Sequence, residues 1–234
     1  MTTLMTINTI ELANICNLAC SYCINRKMAK TPGRSPGIMT DEIFDLACYW
    51  LEELIEQGTQ QEVNLNGNGE STLDPQLPAR AARVIQIVEG RQVSFCTNGL
   101  TMTDRLAKDL KHAGIKRVDL SLHNAAAARR AADILLANGI AGTLAAGAVA
   151  APHNWADQIE PEYRVKVRIQ LQCDPLIEGR GYIQREGFVT PCCYDYRNLG
   201  VYGHVQDKNL LTRPMKRFEL CDTCHQVIPA GVPT

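Results

Sequence analysis

The chain carries no excess of either charge. Its 24 Lys and Arg stand against 25 Asp and Glu, a formal net charge of -1, so neither a nucleic-acid polymer nor an anionic membrane is its default partner. No uninterrupted apolar run approaches the ~20 residues that a membrane-spanning helix needs. Met1-Thr2-Thr3-Leu4 leads straight into strand-like sequence and not into a basic-then-apolar leader. A soluble, cytoplasmic protein is the expectation. There is also no internal repeat, and no low-complexity tract beyond a short alanine run after Asn124.

What is plentiful is cysteine, ten residues in 234. In an untargeted chain this argues against a disulfide framework, because the cytosol keeps thiols reduced and such clusters then more often bind metal. The thiols are bunched: Cys16, Cys20 and Cys23 near the start, and Cys173, Cys192, Cys193, Cys221 and Cys224 in the last quarter. Only Cys48 and Cys96 lie between, and Cys48, in a helical pattern, reads as an inert core thiol.

Hydrophobic periodicity gives the scaffold. Residues 4–13 mix Leu4, Ile7, Ile10 and Leu12 with Thr and Asn, as in a strand ending at the first cysteines. Arg26 to Gly37 is a basic loop, either solvated or a docking patch for an acidic partner. Thr40 caps a helix that runs to Gly58, a strand covers 62–66, and a helix restarts at Asp74-Pro75 and stops at Gly90. A strand at 92–96, a helix at 104–113, a strand at 116–123 and a helix at 125–138 continue the rhythm. Residues 139–150 read as a fifth strand, 155–160 as a short helix and 164–171 as a sixth strand.

Such alternation predicts an α/β fold with a parallel sheet and right-handed crossovers. A full eight-unit barrel averages ~250 residues, so residues 1–171 are expected to form a partial TIM-like (β/α) barrel of five to six parallel strands. Residues 172–234 are rich in Gly, Pro, Tyr and Cys, with Tyr182-Ile183-Gln184 and Phe188-Val189-Thr190 flanking Arg185-Glu186-Gly187 as a hairpin would. A segment this small is expected to need a metal staple.

In parallel βα folds functional groups gather at the carboxyl ends of the strands. Four groups occupy that position here: the cysteine array after the first strand, Gly67-Asn68-Gly69-Glu70 after the second, Thr97-Asn98 after the third, and Ser121 with His123 at the fourth. Each alone is an ordinary turn signal, but as a set they converge on one mouth. Three thiols within eight residues are one fewer than a saturated four-iron cluster needs, which leaves a position open for chemistry; the alternative is half of a zinc site completed by remote ligands. Cys173, Cys192, Cys221 and Cys224 suffice to close a zinc or iron-sulfur site, and spacing does not choose between them. His225 is a further ligand if the metal is zinc.

The array Cys16-x3-Cys20-x-Tyr22-Cys23 resembles the signature of the radical S-adenosylmethionine (SAM) enzymes. The resemblance implies a 4Fe-4S cluster on Cys16, Cys20 and Cys23, with SAM chelating the fourth iron and yielding a 5'-deoxyadenosyl radical. Gly69-Glu70 resembles the glycine-acid segment that meets the SAM amino group, although Asn68 stands where that segment has a glycine. Tyr22, Asn68, Thr97, Asn98, Ser121 and His123 are the further SAM contacts that the resemblance implies, and an electron donor such as a flavodoxin or ferredoxin is the implied partner. Cys173, Gly187-x4-Cys192 and Cys221-x2-Cys224 resemble the twitch domain, a relative of the longer SPASM domain. This implies a second, auxiliary 4Fe-4S cluster, with Cys193 able to stand in for Cys192.

Length, a single auxiliary site and the closing Ser121-Leu122-His123 resemble the SAM-dependent 2-deoxy-scyllo-inosamine dehydrogenase type, implying oxidation of an alcohol to a ketone on a small molecule. Two other readings stay open. One is a maturase acting on a peptide, with Cys96 or Cys193 returning a hydrogen atom; the other is a non-enzymatic iron-sulfur or zinc protein. His123 and His153 are candidate substrate-side groups, and Arg180, Arg185 and Tyr194 are expected near the auxiliary site.

Overall fold

A computed structural model of the chain describes residues 5–28, 30–58, 62–145, 171–213, 216–224 and 226–227. His153, His225, the expected helix at 155–160 and all but the last residue of the expected sixth strand lie outside the described residues.

The first strand, β1 (Thr6–Ile10), is shorter than its apolar pattern; just past it Glu11 N still donates to Ile183 O at 2.9 Å, and Ala13 keeps one bridge, to Ile38. The cysteine loop and a single turn, α1 (Asn25–Met28), follow. Helix α2 (Asp41–Glu56) starts where Thr40 accepts the Ile43 N–H, and turns Phe44, Ala47, Cys48, Trp50, Leu51 and Leu54 inward. Each large apolar side chain so buried contributes about 1.5–3 kcal/mol.

After β2 (Val63–Asn64), helix α3 (Leu77–Ile87) begins later than Asp74-Pro75 suggests. The Asp74 carboxylate is used in the preceding turn, accepting from Gln76 N at 2.9 Å and from Arg80 Nη1 at 2.9 Å. The third strand breaks at Phe95 into β3 (Val93–Ser94) and β4 (Cys96–Thr97). Helix α4 (Asp104–His112), β5 (Arg117–Ser121) and α5 (Ala125–Ala137) then follow as the periodicity predicts, with Thr103 and Asn124 as side-chain caps, and β6 (Ala141–Ala145) falls within the strand expected at 139–150, whose residues 146–150 lie outside the described ones.

Beyond them come β7 (Leu171–Gln172), a short helix α6 (Asp174–Glu178), β8 (Arg180–Ile183), β9 (Phe188–Thr190), β10 (Gly203–His204) and β11 (Gln226–Val227). Leu171, expected to end a barrel strand, pairs in β7 with β11.

The strands form a partial barrel. One sheet has the order β10-β9-β8-β1-β2-β3 and another β4-β5-β6. The break at Phe95 does not part the wall, since the Asp119 N–H donates to Phe95 O at 3.0 Å. From β8 to β6 all neighbours are parallel, and α2 to α5 pack outside over one core of Ile7, Ile10, Leu51, Leu65, Phe95, Leu120 and their neighbours.

The expected hairpin forms as β8 and β9, but β8 also lies parallel beside β1. No local pattern announces this pairing. Part of the C-terminal segment is held by burial in the main core, which Ile183, Val189, Tyr202, Val205 and Leu210 join, and Trp50 Nε1 donates to Val205 O at 2.7 Å. A second, small cluster of Tyr194 and Leu220, with Cys192, Leu199, Phe218 and Cys224 against it, stands apart. Among the described residues no helix is long and apolar enough to cross a membrane.

Candidate active site

The exit of β1, the Gly67–Glu70 turn and the end of β4 meet at one place. The turn sits on the cysteine loop so closely that a Cβ at Gly69 would lie 2.3 Å from Ala13 O and 2.7 Å from Asn14 Cα, and Glu70 N donates to Ile15 O at 2.8 Å. Glycine there is a steric requirement of backbone against backbone.

Glu70, buried, uses both carboxylate oxygens inside the protein. Oε1 accepts from Thr72 Oγ1 at 2.6 Å and Thr97 Oγ1 at 2.7 Å, and Oε2 accepts from Asn98 N at 2.8 Å. The carboxylate therefore welds the second and third strand ends together and keeps capacity on Oε2 for one further donor. Asn98 Nδ2 in turn donates to Asn17 Oδ1 at 2.7 Å, next to Cys16.

Cys16, Cys20 and Cys23 are half-buried in the loop. Backbone N–H groups already point at two of the sulfurs, Leu18 N at Cys16 Sγ and Asn25 N at Cys23 Sγ, both at 3.4 Å. Burial raises the Cys16 thiol and pushes Cys23 up to about 11, with the neighbouring thiols adding to both. Thiols that hold a metal bind it as thiolates, so a cation here would displace their protons. Among the described residues no three Cys, His, Asp or Glu side chains converge on a point as ligands of one metal ion do; a 4Fe-4S cube is held at its corners, by sulfurs that surround a space.

Tyr22 Oη and His123 Nδ1 are 2.7 Å apart, which joins the cysteine loop to the end of β5. Burial lowers the His123 pKa, opposed by the Glu70 charge, and keeps the ring neutral near pH 7. Ser121 closes β5, half-buried, in register with Ala145. The fold thus brings Cys16, Glu70, Thr97 and Asn98 into one network, and Tyr22 with His123 into a second contact at the same rim. Asn68 Oδ1 is buried and meets no donor among the described residues. It is an acceptor of the kind that the ammonium end of an amino-acid ligand fits, so the residues present suit SAM.

In the C-terminal segment Cys173, Cys192, Cys221 and Cys224 line a single cavity, walled by Leu176, Tyr194, Phe218 and Leu220. Four thiols around an apolar space suit an iron-sulfur cube. Tyr194 N donates to Cys192 Sγ at 3.4 Å, and Asp195 shapes the following loop by accepting from Leu199 N at 2.9 Å and Gly200 N at 2.8 Å. Cys193 is not among the cavity's lining residues; it is exposed, and its carbonyl accepts from Asn68 Nδ2 at 3.2 Å.

Of the residues expected beside this site only Tyr194 is there. Arg185 reaches across to Ser35 Oγ and Ile38 O, at 2.5 and 3.2 Å, and Arg180 pairs with Glu178 at 2.6 Å. Cys96 faces the same side of the sheet as its register partner Asp119, and burial pushes it up to about 11. The basic loop is reduced as a surface patch, since Arg34 is buried against Glu11 at 2.6 Å.

Sequence reasoning missed Glu11, Asn14, Asn17, Asn25 and Tyr182, all of which hold the loop and turn. The available signal was Glu11, an acid inside the apolar pattern Ile10-Glu11-Leu12.

The cysteines also differ in a way that labelling reads. Burial pushes Cys48 up to about 12, whereas Cys193 is exposed. Iodoacetamide at pH 8 is expected to modify Cys193 within minutes and to spare Cys48 while the protein is folded, as read by peptide mass spectrometry. Equal labelling of the two would contradict the burial of Cys48 under α2.

The model of the Radical SAM superfamily matches residues 10–134, just over half of the chain. A GTP 3',8-cyclase of Synechococcus elongatus is 35% identical over 121 residues, covering 51% of this chain and 35% of the cyclase. Molybdenum cofactor biosynthesis protein 1 of Drosophila melanogaster is 32% identical over 113 residues, covering 48% of this chain and 19% of that protein. The chain thus spans about a third or less of the length of these curated relatives.

Among solved structures, BtrN in complex with AdoMet and 2-DOIA superposes with a TM-score of 0.69 at 16% identity, over 90% of this chain and 83% of BtrN. Native anSMEcpe with bound AdoMet and the Cp18Cys peptide gives 0.57 at 16% identity, over 87% and 78%. At these identities the likeness is one of fold.

Proposed function

The chain belongs to the radical SAM superfamily, and from that premise we propose that it oxidises a small hydroxylated substrate, alcohol to ketone, using SAM and two 4Fe-4S centres. When bound, these groups supply the one-electron chemistry: a hydrogen-abstracting adenosyl radical, and an acceptor for the electron left on substrate. The protein's part is binding, orientation and exclusion of water. In this reading Cys16, Cys20 and Cys23 hold the first centre. Asn68 and Glu70 face the amino-acid end of SAM, and Thr97, Asn98, Ser121 and the Tyr22–His123 pair lie toward its remainder.

The observation that carries the choice of oxidation is the set of four thiols around the second cavity. With four protein ligands a centre has no open corner for substrate, and what is left to it is electron transfer. Reduction by an acidic flavodoxin- or ferredoxin-type protein belongs to the same proposal, with Arg26 and Lys30, exposed beside α1, as the cations it would meet.

A second reading rests on the relatives named GTP 3',8-cyclase, whose likeness covers about half of this chain. It makes the reaction a ring closure on a nucleotide. Both readings are tested by incubating reconstituted protein anaerobically with SAM and dithionite. Formation of 5'-deoxyadenosine is expected, with loss of two hydrogens from a cyclitol or amino-sugar alcohol; turnover of GTP with no oxidation of such alcohols would favour the cyclase. No 5'-deoxyadenosine under any condition would end both.

A further inference from the structure

Glu11 is fully buried at the exit of β1, and four donors from three other segments converge on its carboxylate. Oε1 accepts from Tyr182 Oη at 2.6 Å and from Asn68 N at 2.9 Å. Oε2 accepts from Arg34 Nη2 at 2.6 Å and from Arg185 N at 3.1 Å. A buried ion pair is weak as a source of stability, since its desolvation cost offsets much of the attraction, but it is selective about geometry. Here that selectivity falls on the turn beside the cysteine loop.

Asn68, the residue standing where the family segment has glycine, is the node. Its N–H is held by Glu11, its carbonyl accepts from Asn25 Nδ2 at 2.7 Å, and its Nδ2 donates to Cys193 O at 3.2 Å and toward Tyr182 Oη at 3.4 Å. Gly67 lies so close that a Cβ there would come within 2.5 Å of both Glu11 Cγ and Tyr182 Oη. Turn and carboxylate therefore cannot move independently. Two of the four donors to Glu11, Tyr182 Oη and Arg185 N, belong to the β8–β9 hairpin, which also leads to Cys192.

We propose that Glu11 is a positioning residue: it sets the Asn68–Glu70 turn in the geometry that receives the amino-acid end of SAM, and it does so only with the β8–β9 hairpin docked. The inference rests on the proposed SAM reading of that turn. It makes the C-terminal segment a condition for cofactor binding at the barrel mouth, in addition to any part it has in electron transfer.

The test uses Glu11→Gln and Tyr182→Phe in full-length protein reconstituted with iron and sulfide. SAM affinity is measured by equilibrium dialysis, and backbone amide exchange of residues 66–71 by mass spectrometry. Iron content is expected to stay at the wild-type level in both. Loss of a charged hydrogen-bond acceptor implies SAM binding weaker by about tenfold in Glu11→Gln, and loss of one donor about threefold to fivefold in Tyr182→Phe. Exchange in the turn is expected to quicken in both. Wild-type affinity in folded, iron-loaded Glu11→Gln, whatever its melting temperature, overturns the proposal and reduces Glu11 to packing. Should Glu11→Gln fail to fold, Tyr182→Phe decides alone, and unchanged affinity there is equally fatal. A wild type that binds no SAM overturns the functional reading together with this one, whereas a wild type that binds, beside variants that bind as well, overturns this one alone.

Discussion

Changing Cys16, Cys20 and Cys23 together to alanine is expected to lower the iron content of anaerobically reconstituted protein from about eight to about four per chain, the content of two and of one four-iron cluster, and to abolish 5'-deoxyadenosine formation. The loss is expected to be confined to one centre. The cysteine loop is fastened by contacts that do not involve sulfur: Glu70 N to Ile15 O, and Asn25 Nδ2 to Asn14 O and Asn68 O. The four other thiols lie around a separate cavity with its own small apolar cluster. Iron analysis and the spectrum of the remaining centre read the result. Unchanged iron, or zinc on Cys16, Cys20 and Cys23, would remove the basis of a radical mechanism, whereas zinc in the second cavity would remove only the auxiliary centre.

The second large effect separates neighbours in sequence. Cys192→Ala is expected to cost the auxiliary centre, leaving about four irons, whereas Cys193→Ala keeps both centres. The reason is direction: Cys192 lines the cavity with Cys173, Cys221 and Cys224, while Cys193 is exposed and its backbone carbonyl is tied to Asn68. Removing the staple is also expected to loosen residues 216–224 toward proteolysis before the β8–β9 hairpin, since Ile183 and Val189 sit in the main core and Phe218 and Leu220 do not. Iron retained in both variants would mean that the two thiols exchange as ligands, and iron loss in Cys193→Ala alone would make Cys193 the ligand.

Much of this was legible in the sequence because local pattern and function coincide there. The cap Thr40 and the apolar periodicity placed the barrel helices α2, α4 and α5, and four strand ends carried the site groups to one mouth; the caps Thr103 and Asn124 are read only from the structure. Cys173, Cys192, Cys221 and Cys224, grouped in the sequence as thiols that suffice for one metal site, do line one cavity. What was missed depends on contacts between distant segments. The β1–β8 pairing has no short-range signature, and Tyr182 reads as an ordinary hairpin residue until its hydroxyl is seen on Glu11. Arg34 has the look of a solvated loop cation for the same reason: only the fold supplies the acid that buries it. The later start of α3 is likewise unannounced, and Asp74 in the turn before it pairs with Arg80, a partner that the helix itself provides six positions later.

The place of β8 beside β1 also has a temporal side. Thr6 and its partner Gly179 are 173 positions apart, and at ribosomal speeds of ~5–20 residues per second that separation is on the order of ten seconds or more. Throughout that interval one edge of β1 is bare, and Glu11 lacks the two donors that come from the hairpin. The thiol loop at its end is thus made well before the segment that finally encloses its surroundings.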